Sequence, residues 1–299
     1  MEYNAGLMLE GGGMRCAFTV GVLDYFLDRQ LEFPFVATAS AGALIGSSYV
    51  AKQRERNYQL LEALGKNPDV ISFKRMLQKK ELFSMDFIFE KLANEQFPID
   101  FASFLQTNAR FIVGTTDINT GRPLFHDTFT EKNNLLQVIR ASCSLPVLAP
   151  SIEYQGKQLM DGGISDPIPI NPLIERGLKK HVVILTRNKG YRKKATKLNW
   201  FFRRFFKNKP ELIQLLRNRH LSYNQTMRKL LEMEQRNEVF MIQPEEPLAA
   251  SRIEKNGQKL EILYQQGYQE AEKNFEALQN FLKSSEKPST YIKDGVVPS

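Results

Sequence analysis

The chain has 299 residues, of which 42% are apolar and 25% are charged, fractions typical of a globular protein with one large core. No run approaches the roughly 20 consecutive apolar residues of a membrane span, and the first residues lack the cationic and then apolar pattern of a signal peptide. Two cysteines, Cys16 and Cys143, are too few for a disulfide framework and form no metal-ligand pair, so we expect a cytoplasmic protein.

The net charge of +8 is concentrated in one part of the chain. Residues 187–219 contain twelve Lys or Arg residues and a single acid, Glu211, whereas acids slightly outnumber bases elsewhere. A basic patch of this kind usually meets an anionic partner, which is a membrane surface, a nucleic acid or an acidic substrate. No recognisable nucleic-acid-binding motif accompanies the patch, so we expect no nucleic-acid partner.

Taken in chain order, the N-terminal part repeats a pattern of strand, turn and helix. Residues 5–9 form a short apolar run that leads into a glycine run at 11–13, and residues 14–30 then carry apolar side chains at helical spacing. Residues 35–39 are a second apolar run, which Ser40 and a stretch of small residues follow. Two such units in succession predict βαβ connections and a largely parallel sheet.

The remainder of the chain mixes helices and short strands. Residues 52–105 are partly helical and rich in Lys, Glu and Phe, and we expect them to form a cap. We predict strands at 110–116, 122–126, 153–154, 158–160, 181–186 and 239–243, and helices at 131–143, 210–235 and 255–283. In this division residues 1–284 form one domain with a basic and aromatic insertion at 187–219, and residues 285–299 form a disordered tail.

Ser40 lies between a predicted strand and a helix that begins with small residues. A serine on such a turn projects its hydroxyl above the sheet, and the helix N-terminus behind it favours developing negative charge. The sequence Thr38-Ala39-Ser40-Ala41-Gly42 matches the nucleophile motif Gly-x-Ser-x-Gly except at its first position, where Thr38 replaces glycine. Serine is also a common helix N-cap, so this segment alone leaves both roles open.

Gly11, Gly12 and Gly13 connect the first predicted strand to the first helix. A glycine run leaves backbone N–H groups uncovered and suited to binding an anion. The run is not a Walker A loop, because no Gly-Lys-Ser or Gly-Lys-Thr follows, and Cys16 occupies the third glycine position of a dinucleotide-binding motif. An oxyanion hole remains, in which each N–H typically contributes on the order of 3 kcal/mol to transition-state stabilisation.

Asp161 is the candidate general base. It precedes Gly162 and Gly163 in a predicted turn, which is a common place for an aspartate without a catalytic role. A serine hydrolase ordinarily uses a histidine, but none of the three in this chain has the glycine-rich or loop setting of a catalytic one; they are His126, His181 and His220. A carboxylate near the hydroxyl can take the proton directly.

Three motifs, in this order, resemble the signatures of patatin-like phospholipases. They are Gly11-Gly12-Gly13-Met14-Arg15, Ser40-x-Gly42 and Asp161-Gly162-Gly163. The segment Ala141-Ser142-Cys143-Ser144-Leu145-Pro146 also resembles the Ala-Ser-x-x-x-Pro segment of that family, and the likeness extends over residues 5–186. The resemblance implies an α/β fold, a three-layer α/β/α sandwich with a mostly parallel central sheet.

The same resemblance implies roles for individual residues. Ser40 is expected to be the nucleophile and Asp161 the base of a Ser–Asp dyad that lacks a histidine. The backbone of Gly11, Gly12 and Gly13 is expected to form the oxyanion hole. Arg15 ends the glycine-rich motif and is expected to orient the loop or to bind a lipid phosphate. No metal and no organic cofactor is implied.

We therefore expect a lipid acyl hydrolase, of the phospholipase A or lysophospholipase type, that cleaves carboxylic esters through an acyl-serine intermediate. One alternative is a short-chain esterase or serine peptidase, which would have little use for the basic and aromatic segment. Another is a non-catalytic lipid-binding pseudoenzyme on the same fold, which Thr38 in the nucleophile motif favours.

Residues 191–209 are predicted to dock the protein on the inner face of an anionic membrane. Trp200, Phe201, Phe205 and Phe206 alternate with Arg and Lys residues, and on a helix the phenylalanines share one face. Each cation near an anionic surface is worth about 1 kcal/mol. In the alternative interpretation the phenylalanines pack on the core of the domain and the bases form a solvated face.

Overall fold

The structure, a computed structural model, describes residues 4–67, 70–79, 81–197 and 199–284, and the tail predicted at 285–299 lies outside them. The strands are β1 Ala5–Leu9, β2 Phe35–Ala39, β3 Arg110–Asp117, β4 Pro123–His126, β5 Ile152–Tyr154, β6 Lys157–Asp161, β7 Lys180–Ile184 and β8 Val239–Ile242. Within the described residues they form one sheet in the order β5-β6-β3-β2-β1-β7-β8, with β4 paired to β3.

Helices make up most of the remaining described residues. The α-helices are α1 Ala17–Asp28, α2 Ala41–Val50, α3 Arg56–Lys66, α4 Phe73–Lys79, α5 Phe101–Gln106, α6 Lys132–Cys143, α7 Asn171–Glu175, α8 Asn199–Phe205, α9 Pro210–Gln235 and α10 Gly257–Lys283. A π-helix, Phe87–Gln96, lies between α4 and α5, and short 3-10 turns cover Gly13–Cys16 and Gly162–Ile164.

The centre of the sheet is parallel. Strand β1 pairs in parallel with β2 and β7, β2 with β3, and β7 with β8, whereas β4 and β6 are antiparallel to β3. β1 is buried along its whole length, as expected for a parallel strand covered on both faces. The carboxyl ends of β1 and β2 open together at one edge of the sheet, which is where open α/β sheets bind their ligands.

Side chains alternate between the two faces of the sheet and meet a helical layer on each. Leu7 lies in a core cluster with Phe18 of α1 and with side chains from α2 and α10. The next residue, Met8, lies in a second cluster with Leu230 of α9 and with side chains from α7. Helix, sheet and helix layers make a three-layer α/β/α sandwich, so the predicted fold class is confirmed.

Helices α1 and α10 cross in backbone contact. A Cβ atom at Gly21 would lie 2.0 Å from the carbonyl oxygen of Tyr264, and one at Gly267 would lie 1.8 Å from the carbonyl oxygen of Phe18. Both positions therefore require glycine, because real Cβ atoms essentially never approach another atom closer than 3.0 Å. Since α1 follows the glycine-rich loop, α10 helps to hold the helix that this loop precedes.

Most predicted elements are present, with small differences in their bounds. The helix predicted at 14–30 begins with the 3-10 turn and ends at Asp28, and the predicted hairpin is the antiparallel pair β3 and β4. The helix predicted at 210–235 is α9, over the same residues. Residues 52–105 contain α3, α4, the π-helix and α5. None of the described helices has the length and apolar content that a membrane crossing requires.

Candidate active site

Ser40 occupies a sharp turn between β2 and α2. Its backbone has φ 58° and ψ −139°, a strained conformation that a non-glycine residue rarely adopts. The turn is typical of a serine that is presented to a ligand between a strand and a helix. Although Ser40 precedes the first turn of α2, its side chain caps no N–H group of the helix. The N-cap interpretation is therefore wrong for the Ser40 hydroxyl.

The turn is fixed from the side of α6. The Ser40 N–H donates to Ser142 Oγ at 2.8 Å, and Ser142 Oγ donates to the carbonyl oxygen of Gly114 in β3 at 2.6 Å. The Ser142 side chain is fully buried, so water does not compete for these two hydrogen bonds. The segment that resembles Ala-Ser-x-x-x-Pro thus supplies a side chain that ties the Ser40 turn to the sheet.

Thr38 is packed between β3 and α2 and lines neither of the two cavities at Ser40 that are described below. Its buried Oγ1 donates to the carbonyl oxygen of Ile112 at 2.9 Å. Its methyl group lies against Gly46, where a Cβ atom would be only 3.1 Å away. A threonine fits at the first position of the motif because a glycine stands opposite it in α2.

Asp161 ends β6 and faces Ser40. Its Oδ1 accepts the Gly163 N–H at 2.8 Å. Its Oδ2 is buried without a hydrogen bond of ordinary geometry among the described residues, yet the Ser40 hydroxyl is near enough to act as a side-chain donor to the carboxylate. We interpret the contact as long or poorly aligned, which is common between a catalytic hydroxyl and its base before a substrate binds.

The ionisation of Asp161 is set by opposing influences. Burial raises the pKa of Asp161 above its ordinary value, while the positive charges of Arg219 and Arg252 and hydrogen bonds from Ser40 and Gly163 lower it. Desolvation disfavours a carboxylate, whereas nearby cations and donors favour it. Because the net direction is upward, Asp161 is a stronger base than a solvated aspartate.

The glycine-rich loop passes directly beside Ser40. A Cβ atom at Gly11 would lie 2.6 Å from Ser40 Cβ and 2.8 Å from the carbonyl oxygen of Ala39, so this position requires glycine. Among the described residues, no protein group accepts an ordinary hydrogen bond from the Gly11 N–H. Gly11 and Gly12 line the cavity that also contains Asp161, whereas Gly13 lines a different cavity. The three predicted glycines are therefore adjacent, but Gly11 and Gly12 face the cavity of Asp161 and Gly13 faces the other one.

Ser40 lies where two cavities of opposite character meet. The first cavity is lined almost entirely by apolar side chains. Part of its wall comes from α1 and α2. The rest comes largely from the region predicted as a cap, through Leu60, Leu61, Leu64, Val70, Phe83, Met85, Ile88 and Phe89. A space of this kind suits a hydrocarbon chain, because burial of each CH₂ is worth about 0.8 kcal/mol.

The second cavity is small and polar, and it contains both Ser40 and Asp161. Arg15, which the sequence singles out, lines it and is 5% exposed. Four further basic side chains line it, and sequence reasoning did not assign them to the site; they are Arg187, Lys193, Arg219 and Arg252. The signal available was the basic patch at 187–219, which contains the first three of these, but no motif relates them to Ser40.

All three histidines are among the described residues, and none lines either cavity. His126 Nε2 and Thr115 Oγ1 form a hydrogen bond of 2.8 Å, and burial lowers the pKa of His126. His181 is buried in β7, where burial lowers its pKa to about 4. His220 Nδ1 lies 3.0 Å from the carbonyl oxygen of Arg217.

The basic and aromatic segment differs from its predicted form. Trp200 and Phe205 are 68% and 39% exposed, but Phe206 packs against a buried cluster that includes Leu212. Phe206, the residue after α8, therefore packs as the alternative interpretation expected for the phenylalanines, against a buried cluster of the domain. The side chain of Phe201 lies outside the described residues.

Known proteins with similar sequences can now be set beside this fold and site. A family model described as a patatin-like phospholipase matches residues 7–174, which is more than half of the chain. The chain therefore belongs to the patatin-like phospholipase family, a family of hydrolases whose name indicates lipid substrates. A second family model, described as a domain of unknown function (DUF6363), matches residues 209–283.

Two relatives align with the N-terminal part of the fold. An uncharacterized Escherichia coli protein, YjjU, is 30% identical over 185 residues, which are 60% of this chain and 51% of that protein. Lysophospholipase NTE1 of Candida albicans is 27% identical over 187 residues, which are 60% of this chain and 13% of that protein. The crystal structure of VipD from Legionella pneumophila, at 14% identity, gives a TM-score of 0.43 and covers 94% of this chain and 67% of that chain.

Proposed function

We propose that the protein is a lipid acyl hydrolase of the phospholipase A or lysophospholipase type, in which Ser40 is the nucleophile and Asp161 is the base. The observation that supports this most is the position of Ser40. Its strained turn faces the Asp161 carboxylate at the junction of an apolar and a polar cavity. An ester with its acyl chain in the first cavity and its alcohol part in the second has its carbonyl carbon at Ser40.

The reaction follows from these positions. Asp161 takes the proton of the Ser40 hydroxyl while Oγ attacks the ester carbonyl carbon and forms a tetrahedral intermediate. The intermediate collapses, the bond to the alcohol oxygen breaks, and Asp161 returns the proton to that oxygen. In the second half, Asp161 deprotonates a water molecule that attacks the acyl-Ser40 ester. The fatty acid is released, and the proton returns from Asp161 to Ser40.

The oxyanion of each intermediate requires backbone donors. We assign them to the glycine-rich loop, with Gly11 and Gly12 on the side of the polar cavity. Arg15 lies behind this loop and is nearly fully buried, which suits a cation that stabilises negative charge near Ser40. The N–H of Ala41, the first residue of α2, is a further candidate donor, because it follows the nucleophile directly.

The almost entirely apolar wall of the first cavity favours a hydrocarbon acyl chain over the short acid of a simple esterase substrate. The packing of Thr38 away from the cavities removes the feature of the sequence that favoured a non-catalytic protein. The apolar lining of the first cavity suits a hydrocarbon chain better than a peptide strand, whose backbone needs hydrogen-bond partners. A lipid ester is therefore the substrate class that we propose.

Labelling with a fluorophosphonate probe tests the dyad. Wild-type protein is expected to be labelled, Ser40→Ala to show no labelling, and Asp161→Asn to lose at least about a thousandfold in kcat/KM on a long-chain ester. Asp166→Asn is the matched control, because burial raises the pKa of Asp166 to about 7 but its side chain does not line the cavity. Labelling of Ser40→Ala, or full activity of Asp161→Asn, contradicts the proposal.

We also propose that the protein is cytoplasmic and that α8 brings it to the inner face of an anionic membrane. Exposed Trp200 and Phe205 stand beside exposed Arg203 and Arg204, a combination suited to an interface with anionic headgroups. Wild type is expected to float with vesicles that contain anionic lipid, and the double variant Trp200→Ser and Phe205→Ser to stay in solution. Ile262→Ser, which removes an apolar side chain that is 51% exposed on α10, is the control. Equal flotation of the double variant and wild type contradicts the membrane proposal.

A further inference from the structure

The polar cavity at Ser40 carries more positive than negative charge. Five basic side chains line it, those of Arg15, Arg187, Lys193, Arg219 and Arg252, against the two acids Glu10 and Asp161. Glu10 Oε2 already accepts hydrogen bonds from the Thr186 N–H at 2.7 Å and from Thr186 Oγ1 at 3.0 Å. Both donors are neutral, so five basic side chains face two carboxyl groups and an excess of positive charge remains.

The five cations are assembled without an ion pair. Among the described residues none of them lies within 4.0 Å of an acidic oxygen, and the Nε of Arg15 is buried without a hydrogen-bond partner. Burial and the nearby charges of Arg219 and Arg252 lower the pKa of Lys193 to about 7, although Glu10 opposes this. Like charges held in a partly dry space repel each other, so an anion that entered would stabilise them all.

The position of this cluster relative to the apolar cavity indicates which part of a ligand it would bind. The polar cavity and the apolar cavity share Ser40 and Leu145 in their walls. A group bound among the cations would therefore lie on the far side of Ser40 from the acyl chain. In a lipid ester that side holds the glycerol and its headgroup. Arginine and lysine side chains bind phosphate through charge-assisted hydrogen bonds, which are stronger than those they form with a neutral group.

We propose that the five cations form a phosphate subsite that selects lipids with a small anionic headgroup, such as lysophosphatidate, as substrates. This preference for substrates with an anionic headgroup rests on the proposed function. It assigns a role to the segment that matches a domain of unknown function, because α9 and the chain before α10 supply Arg219, Tyr223 and Arg252. Tyr223 carries no charge in this role; its ring lies 5.0 Å from the Lys193 ammonium and holds it toward the cavity.

Hydrolysis rates on two lipids with the same acyl chain test the selection. For wild type we expect kcat/KM to be at least about tenfold higher for lysophosphatidate than for neutral monoacylglycerol, and the ratio to fall about tenfold in Lys193→Met and in Arg252→Gln. Arg192→Gln is the matched control, since Arg192 is exposed, lies next to Lys193 and lines another surface. A ratio near one in wild type, or an unchanged ratio in both cavity variants, overturns the proposal.

Calorimetry with Ser40→Ala separates this proposal from the proposed function, because binding needs no turnover. Lysophosphatidate is expected to bind at least about tenfold more tightly than monoacylglycerol, and Lys193→Met on this background to abolish the difference. Inorganic phosphate is expected to compete weakly for the same site. If wild type hydrolyses no ester but this difference is present, the dyad fails and the phosphate subsite stands. If phosphate binds but lysophosphatidate does not compete with it, the cluster serves free phosphate and the lipid proposal is wrong.

Discussion

Arg219 stands beside Asp161 without forming an ion pair with it. The guanidinium Nε donates to the carbonyl oxygen of Gly163, and the positive charge acts on the Asp161 carboxylate across this turn. Desolvation raises the pKa of Asp161, and Arg219 is the largest of the influences that lower it. A residue of α9 thus partly offsets the effect of burial on Asp161, although the net pKa remains raised.

Removal of this charge is expected to change the pH dependence of hydrolysis. The base must be ionised, so activity is lost as pH falls through the pKa of Asp161. Because Arg219 lowers that pKa, Arg219→Gln is expected to move the acid limb of the kcat/KM profile to higher pH, measured on a neutral short-chain ester. Arg217→Gln, an exposed charge two positions earlier, is expected to leave the profile in place. An acid limb in Arg219→Gln that coincides with wild type contradicts the assignment.

Ser142→Ala is expected to slow acylation of Ser40. The change removes the acceptor of the Ser40 N–H, and a buried donor left without a partner costs about 1–3 kcal/mol of stability. Ser144→Ala is the control, because that hydroxyl is equally buried but donates to the carbonyl oxygen of Arg140. We expect a rate of fluorophosphonate labelling that is at least about tenfold lower for Ser142→Ala only. Equal labelling rates for the two variants would show that the Ser142 hydroxyl has no part in positioning Ser40.

Gly11→Ala is expected to inactivate the enzyme while the protein remains folded. The added methyl group meets Ser40 Cβ at 2.6 Å, so the loop must move away and its N–H groups lose their position. Loss of one oxyanion donor costs about a hundredfold or more in kcat. Gly257→Ala is the comparison, because the nearest atom to its new methyl group is 3.8 Å away. Activity of Gly11→Ala within the error of wild type would show that the loop does not bind the oxyanion.

Thr38→Gly is expected to lower stability without raising activity. The variant loses the hydrogen bond to Ile112 and the contact with Gly46, and it adds a flexible residue to a central strand. We expect a loss of about 2–3 kcal/mol in the free energy of unfolding, and about 1 kcal/mol for Thr38→Val, which keeps the bulk. Denaturant unfolding measures both. A higher kcat/KM in Thr38→Gly would mean that the threonine restrains the Ser40 turn after all.

The histidines are expected to be dispensable for catalysis. His126→Gln and His220→Gln should each retain kcat/KM within about tenfold of wild type, because neither side chain lines a cavity at Ser40. His181→Gln is expected to behave alike once its stability has been checked, since the side chain is buried in β7. Complete loss of activity in a folded variant would restore a histidine base and contradict the dyad.

The fold was accessible from the sequence where local signals were strong. Apolar runs that end at Gly11 and at Ser40 predicted β1 and β2, and their parallel pairing brings the two motifs to one edge of the sheet. Asp161 was predicted from the two glycines after it. Asp161 approaches Ser40 because β6 pairs antiparallel with β3. No local sequence pattern predicts this pairing.

The five basic side chains that line the polar cavity could not be predicted in the same way. Arg219 and Arg252 reach the cavity only because α9 and the chain before α10 pack back onto the sheet, and helical periodicity does not tell which helix lies beside which turn. In the sequence, Arg187 and Lys193 look like members of a solvated charge run. Burial separates them from their exposed neighbour Arg192, and burial of single cations in such a run has no sequence signature.

The crossing of α1 and α10 limits how the two matched segments of this chain can be replaced. On a linear map, residues 7–174 and 209–283 are matched by different family models and resemble separable modules. The backbone contact at Gly21 and Gly267 joins them so closely that a methyl group on either side would force the helices apart. A chimera that joins this N-terminal part to a foreign C-terminal segment can therefore fold only if the donor brings its own glycine to that crossing. In this chain the two matched segments are therefore not independent modules, because each supplies one of the two glycines at their contact.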